Sequence, residues 1–72
     1  PGRDILLRTA LALGLSLKET QRLLAVGGCG ALYPRVRRDA AVIFALNQKM
    51  SLLQAEELLS SLPERSLYAG EH

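Results

Sequence analysis

The sequence predicts an all-α fold, a small bundle of four helices built from two tandem helical hairpins. Three observations carry that reading. The chain falls on itself when it is shifted by 35 positions, each copy holds the same helix-start signal, and no stretch alternates apolar and polar residues long enough for a strand. In the shifted comparison Arg3-Asp4 meets Arg38-Asp39, Ala10-Leu11 meets Ala45-Leu46, and Ser16-Leu17 meets Ser51-Leu52. Leu23-Leu24 then meets Leu58-Leu59, and Leu32-Tyr33 meets Leu67-Tyr68, with no gap anywhere. Leu7/Val42, Leu15/Met50, Glu19/Gln54 and Thr20/Ala55 are similar rather than identical. Such a pattern reads as a duplicated helical hairpin. It predicts one domain over residues 1–66, with units of about 1–34 and 35–68 and a tail over 67–72.

The first helix is expected over about 3–13, where Ile5 to Leu13 is amphipathic and carries Arg8 and Thr9. The second, about 17–26, opens at Ser16, with Glu19 three residues on as the partner of a capping box. Leu17, Thr20, Leu23 and Leu24 follow at helical spacing, and Gly27-Gly28 ends the helix because glycine accepts the left-handed cap conformation. The third, about 36–48, has no polar residue from Ala40 to Leu46 and is apolar around its circumference. Either it is the central element of the bundle, or one face of it meets another chain. The fourth, about 52–62, repeats the capping box with Ser51 and Gln54 and stops at Pro63. Met50 is expected to pack under it as Leu15 packs under the second helix. The two Leu-Tyr pairs read as plugs that close each hairpin.

A chain of 72 residues holds one small domain, and about 60% of its unfolded surface is buried on folding. With 49% hydrophobic and 22% charged residues it is ordinary for a globular protein and too apolar for disorder. No run reaches the roughly 18 uncharged apolar residues of a membrane helix, so no membrane partner is expected. Arg3, Asp4 and Arg8 break up the first apolar stretch, unlike a secretion leader. A single cysteine makes no internal disulfide, and the expected location is cytoplasmic. The only histidine is His72, tryptophan is absent, and Cys29 has no second thiol or imidazole nearby in sequence. No acid–base pair or nucleophile–base set is in view, so the chain reads as a non-enzyme with no metal, cofactor or small-molecule substrate. Gly27-Gly28-Cys29-Gly30 leaves a helix and carries no lysine, which separates it from phosphate-cradling loops.

The net charge of +2 is unevenly spread. Arg35, Arg37, Arg38 and Lys49 face only Asp39 over residues 35–49, while Arg65 faces Glu56, Glu57, Glu64 and Glu71 over residues 50–72. Three arginines just after Pro34 oppose the positive end of the third helix's dipole, and an anion there relieves the clash. Arg35, Arg37 and Arg38, with Arg3 as their weaker mirror in the first unit, are therefore the candidate nucleic-acid or anion-binding residues. The bland alternative is that they are solvated or pair with Glu56 and Glu57, read as lying on an exposed helix face. Val42, Ile43 and Phe44 on the apolar helix are the candidates for self-association, a homodimer being the commonest way for a small domain to gain core.

Several of these segments resemble the closing helices and C-terminal region of lambda-repressor-like (Xre-type) helix-turn-helix regulators. The resemblance lies in Arg3-Asp4-Ile5-Leu6-Leu7 and Ala10 to Leu17, then Lys18-Glu19-Thr20-Gln21-Arg22-Leu23-Leu24, Leu32-Tyr33-Pro34 and Arg38-Asp39-Ala40-Ala41-Val42-Ile43-Phe44-Ala45-Leu46. It covers about residues 3–62 and implies a bacterial transcription-regulator context in which DNA is bound by a helix-turn-helix. The reader helices of that family lie upstream of the segment matched, so no base-reading residue carries over. The expected function is a non-catalytic helical domain of such a regulator, contributing DNA-phosphate contact, self-association or both. The alternative is a protein–protein adaptor of death-fold-like or tandem-hairpin type that meets an acidic or apolar protein surface and has no nucleic-acid role.

Overall fold

A computed structural model describes residues 2–62. They form four helices and no strand: α1 (Arg3–Leu13), α2 (Leu17–Val26), α3 (Arg37–Asn47) and α4 (Leu52–Ser60). The all-α bundle is thus as expected. α3 is one residue shorter at each end than the expected 36–48, and α4 stops two residues before the expected 62. Pro63, Leu67, Tyr68 and the remaining tail lie outside the described residues.

Both helix starts read from the sequence are present in full. Ser16 Oγ accepts from the Glu19 amide at 3.1 Å while Glu19 Oε1 accepts from the Ser16 amide at 2.8 Å. Ser51 and Gln54 repeat this at 3.1 and 2.9 Å. The ends are also alike, for a reason the sequence reading did not include. α1 ends at Gly14 with φ +71°, where the Gly14 amide donates to Leu11 O and the Leu15 amide to Ala10 O. α3 ends with Lys49 at φ +57°, whose amide donates to Leu46 O while the Met50 amide donates to Ala45 O. Both are left-handed caps of the Schellman type, 35 residues apart in sequence. Gly28, with φ +72°, closes α2 the same way, its amide donating to Ala25 O and the Cys29 amide to Leu24 O. The residue after each left-handed position (Leu15, Cys29, Met50) packs against the core, which accounts for Cys29 as a packing residue.

Position by position, the buried faces correspond. Leu7, Ala10 and Leu11 of α1 and Val42, Ala45 and Leu46 of α3 meet Leu24, Ala55 and Leu59 in one cluster, joined by Leu32 from the α2–α3 loop. Thr20, fully buried where the second unit has Ala55, satisfies its hydroxyl by donating to Ser16 O at 2.8 Å. Each of α1 and α3 packs against all three other helices, whereas α2 and α4 sit outside them. The reading of α3 as the central element of the bundle is therefore corrected: α1 and α3 share the centre, because each meets the other three helices. Glu56, expected on an exposed face, is only 8% exposed. Its place on α4 is that of Gln21 on α2, which also turns inward.

Candidate functional site

The N-terminal ends of α1 and α3 meet, and the Arg-Asp pair at each end is what joins them. Arg3 grips Asp39 with two bonds, Nη1 to Oδ1 at 3.1 Å and Nη2 to Oδ2 at 2.9 Å. Arg38 returns the contact, its Nη2 standing 2.9 Å from Asp4 Oδ1. Each unit thus supplies a cation to the carboxylate of the other, which is the pattern of an isologous interface within one chain. Arg3 also straps down the α2–α3 loop, donating from Nε to Gly30 O at 3.0 Å and from Nη2 to Ala31 O at 2.9 Å. Asp39, 4% exposed, accepts a further bond from the Tyr33 amide at 3.0 Å. Burial pushes the Asp39 carboxyl up, but the Arg3 hydrogen bond, the Tyr33 amide and the charges of Arg3 and Arg38 outweigh it and hold the group below its ordinary value.

The four arginines singled out from the sequence therefore divide. Arg3 and Arg38 are committed to carboxylates within the domain. Arg35 and Arg37 are exposed, in the turn before α3 and at its first residue, with no ion pair or hydrogen bond among the described residues. Val36, the N-cap of α3, brings no side-chain acceptor to the helix start. Of the bland alternative, solvation describes the exposed Arg35 and Arg37, while Arg38 meets Asp4 in place of Glu56 or Glu57. The signal was present in the sequence, because the same Arg-Asp dipeptide opens both units, and a cation and an anion repeated together suggest exchange between copies.

The loop from Gly28 to Val36 is held by Gln21 as well. The Leu32 amide donates to Gln21 Oε1 at 2.9 Å, and Gln21 Nε2 donates to Leu32 O at 3.2 Å. Leu32 is thereby driven into the core at 3% exposure, while the Tyr33 ring stays 60% exposed. Of the Leu-Tyr plug, Leu32 closes the hairpin, and Tyr33 contributes its backbone amide.

The three residues proposed for self-association also separate. Val42 is fully buried, so it presents no surface to a second chain, and its place in that set is corrected. It takes the core position that Leu7 has in α1. Ile43 is half-buried, and Phe44 stands 49% exposed. One and two turns towards the N-terminus, Ala40 and the exposed Val36 lie on the same face as Phe44. The corresponding positions of α1 hold half-buried Arg8 and exposed Thr9, whose hydroxyl donates to Ile5 O at 2.9 Å. Ile5, itself exposed, matches Ala40. Among the described residues no group of three or more His, Cys, Asp or Glu side chains is placed to hold a metal ion, and no helix is long and apolar enough to cross a membrane. No family model, curated protein or solved structure matches the chain.

Proposed function

We propose that this chain is a non-catalytic contact module of a helix-turn-helix-type transcription regulator, acting by self-association through the outer face of α3. One observation carries the reading. The two units hold their cores at matching positions, so each is an internal control for the other. The fold accepts a threonine at position 9, and nothing in it calls for a phenylalanine at position 44. An aromatic ring left half in water costs solubility, and a second molecule covering it recovers the burial. A second copy is the simplest partner, since a symmetric contact around Phe44 needs one surface patch only. Light scattering over a rising concentration series tests this. A mass that climbs towards twice the monomer value below about 1 mM supports it, and a constant monomer mass ends it.

Arg35 and Arg37 favour a second reading, contact with a nucleic-acid backbone. Both are exposed at a helix start that no side chain caps, and both are clear of the ion pairs that engage Arg3 and Arg38. Two phosphate contacts give a slope of roughly −2 when log affinity is plotted against log salt. Arg35→Ala combined with Arg37→Ala flattens that slope while leaving the fold intact. Absence of duplex binding at low salt removes this reading and leaves the first untouched.

A further inference from the structure

We propose that two copies of this chain associate with their α3 helices antiparallel, so that Arg37 of each covers the Phe44 ring of the other. The inference rests on the self-association reading and gives that contact its direction and register. Its basis is a set of departures between the two units that fall on one face. At the positions of Arg37, Ala40, Ala41 and Phe44 the first unit holds Gly2, Ile5, Leu6 and Thr9. The second unit therefore adds a cation and an aromatic ring, and between them it puts alanines in place of two bulky residues. Arg37 and Phe44 are both exposed, and the step from 37 to 44 is about two helical turns, which sets them on nearly one line roughly 10 Å apart.

Charge decides the direction. Arg37 opens α3, where the helix dipole opposes a cation, and it meets no carboxylate among the described residues. The last turn of α3 holds no basic residue, and Lys49, just beyond it, sends its ammonium to Gly14 O at 3.3 Å. The helix thus has a cation at its positive end and none in its last, negative turn. An antiparallel partner corrects both, by setting Arg37 of one copy beside the closing turn of the other. A parallel partner brings the two Arg37 side chains and both positive helix ends together and is repelled. The two-fold axis then passes between Ala40 and Ala41, midway from Arg37 to Phe44. Methyl side chains there let the helix axes approach to about 8 Å, the close end of the range for packed helices. Across that gap a guanidinium reaches to within about 6 Å of the facing ring's centre and holds it as a cation–π pair. Symmetry supplies the contact twice.

Sedimentation equilibrium of the full chain tests the register, with unfolding curves beside it to check that each variant keeps its fold. Arg37→Glu is expected to weaken the dimer roughly tenfold, since two cation–π contacts are lost together. Arg35→Glu makes the same change of charge in the turn ahead of α3 and is expected to shift the affinity by less than about twofold. Phe44→Lys opposes the partner's Arg37 and weakens association further. Adding Arg37→Glu to Phe44→Lys is expected to regain roughly tenfold, because the introduced carboxylate and ammonium then meet across the interface in two places. A wild-type chain that stays monomeric removes self-association itself and this proposal with it. A wild-type dimer that Arg37→Glu and Arg35→Glu weaken equally overturns the antiparallel register alone, as does a double variant no tighter than Phe44→Lys.

Discussion

α1 and α3 bury the same three positions, Leu7, Ala10 and Leu11 in one and Val42, Ala45 and Leu46 in the other, yet facing outward one carries Thr9 and the other Phe44. Inward positions agree because the two hairpins share one core, where a change of volume in either unit is felt by both. Outward positions are free of that constraint. A residue there reports on water or on a partner, and the contrast between Thr9 and Phe44 is informative because so much around it is held constant.

The ion pairs offer the sharpest way to break the correspondence. Asp39 is nearly inaccessible and takes three hydrogen bonds, whereas Asp4 is more open and meets one guanidinium nitrogen. Asp39→Asn is expected to cost about 2–3 kcal/mol, because it leaves Arg3 and the loop amide poorly matched at a site with little water. Asp4→Asn is expected to cost about 1 kcal/mol. Urea unfolding of the two variants checks the order, and equal losses would mean that the pairs are energetically equivalent despite their geometry. The effect of pH follows the same residue. Folding holds the Asp39 carboxyl below its unfolded value, so the unfolded chain is the first to bind a proton there as pH falls. The stability from this group is complete above about pH 5 and is lost as pH falls through the folded-state value. Asp39→Asn removes that part of the acid sensitivity.

A smaller effect separates the helix ends. Gly14 and Lys49 adopt the same left-handed conformation, but only glycine does so without steric cost. Gly14→Ala is expected to destabilise by about 1–2 kcal/mol, and Lys49→Gly to stabilise by about 1 kcal/mol, the long 3.3 Å bond from Lys49 Nζ to Gly14 O being a minor loss at the surface. Thermal midpoints moving in opposite directions bear this out, and a drop in both would show that the Lys49 side chain contributes more than its geometry implies.

Much of the fold was legible because its signals are local. The capping serines, Gly28 and the leucine spacing each act within a few residues, and the shift of 35 positions linked them into two units. Lys49 escaped notice because lysine does not advertise a left-handed turn, although its alignment with Gly14 does. The burial of Glu56 was hidden for a different reason. Two adjacent glutamates look like a solvated face, and only their match to Gln21-Arg22 separates the inward Glu56 from the outward Glu57. The candidate site was half legible. Composition located the arginines, but which of them are engaged depends on Asp4 and Asp39, carboxylates that lie far away in sequence and close in space.

The outer face of α3 can be tested with the residue that the first unit already uses. Sedimentation velocity on the wild-type chain and on Phe44→Thr, at matched concentrations and beside their unfolding curves, compares association with stability directly. The expected result is a concentration-dependent dimer for the wild type and a monomer for Phe44→Thr, with unfolding midpoints for the dilute proteins that agree closely. Undiminished association in Phe44→Thr would contradict the account, as would a variant that loses its fold along with its partner.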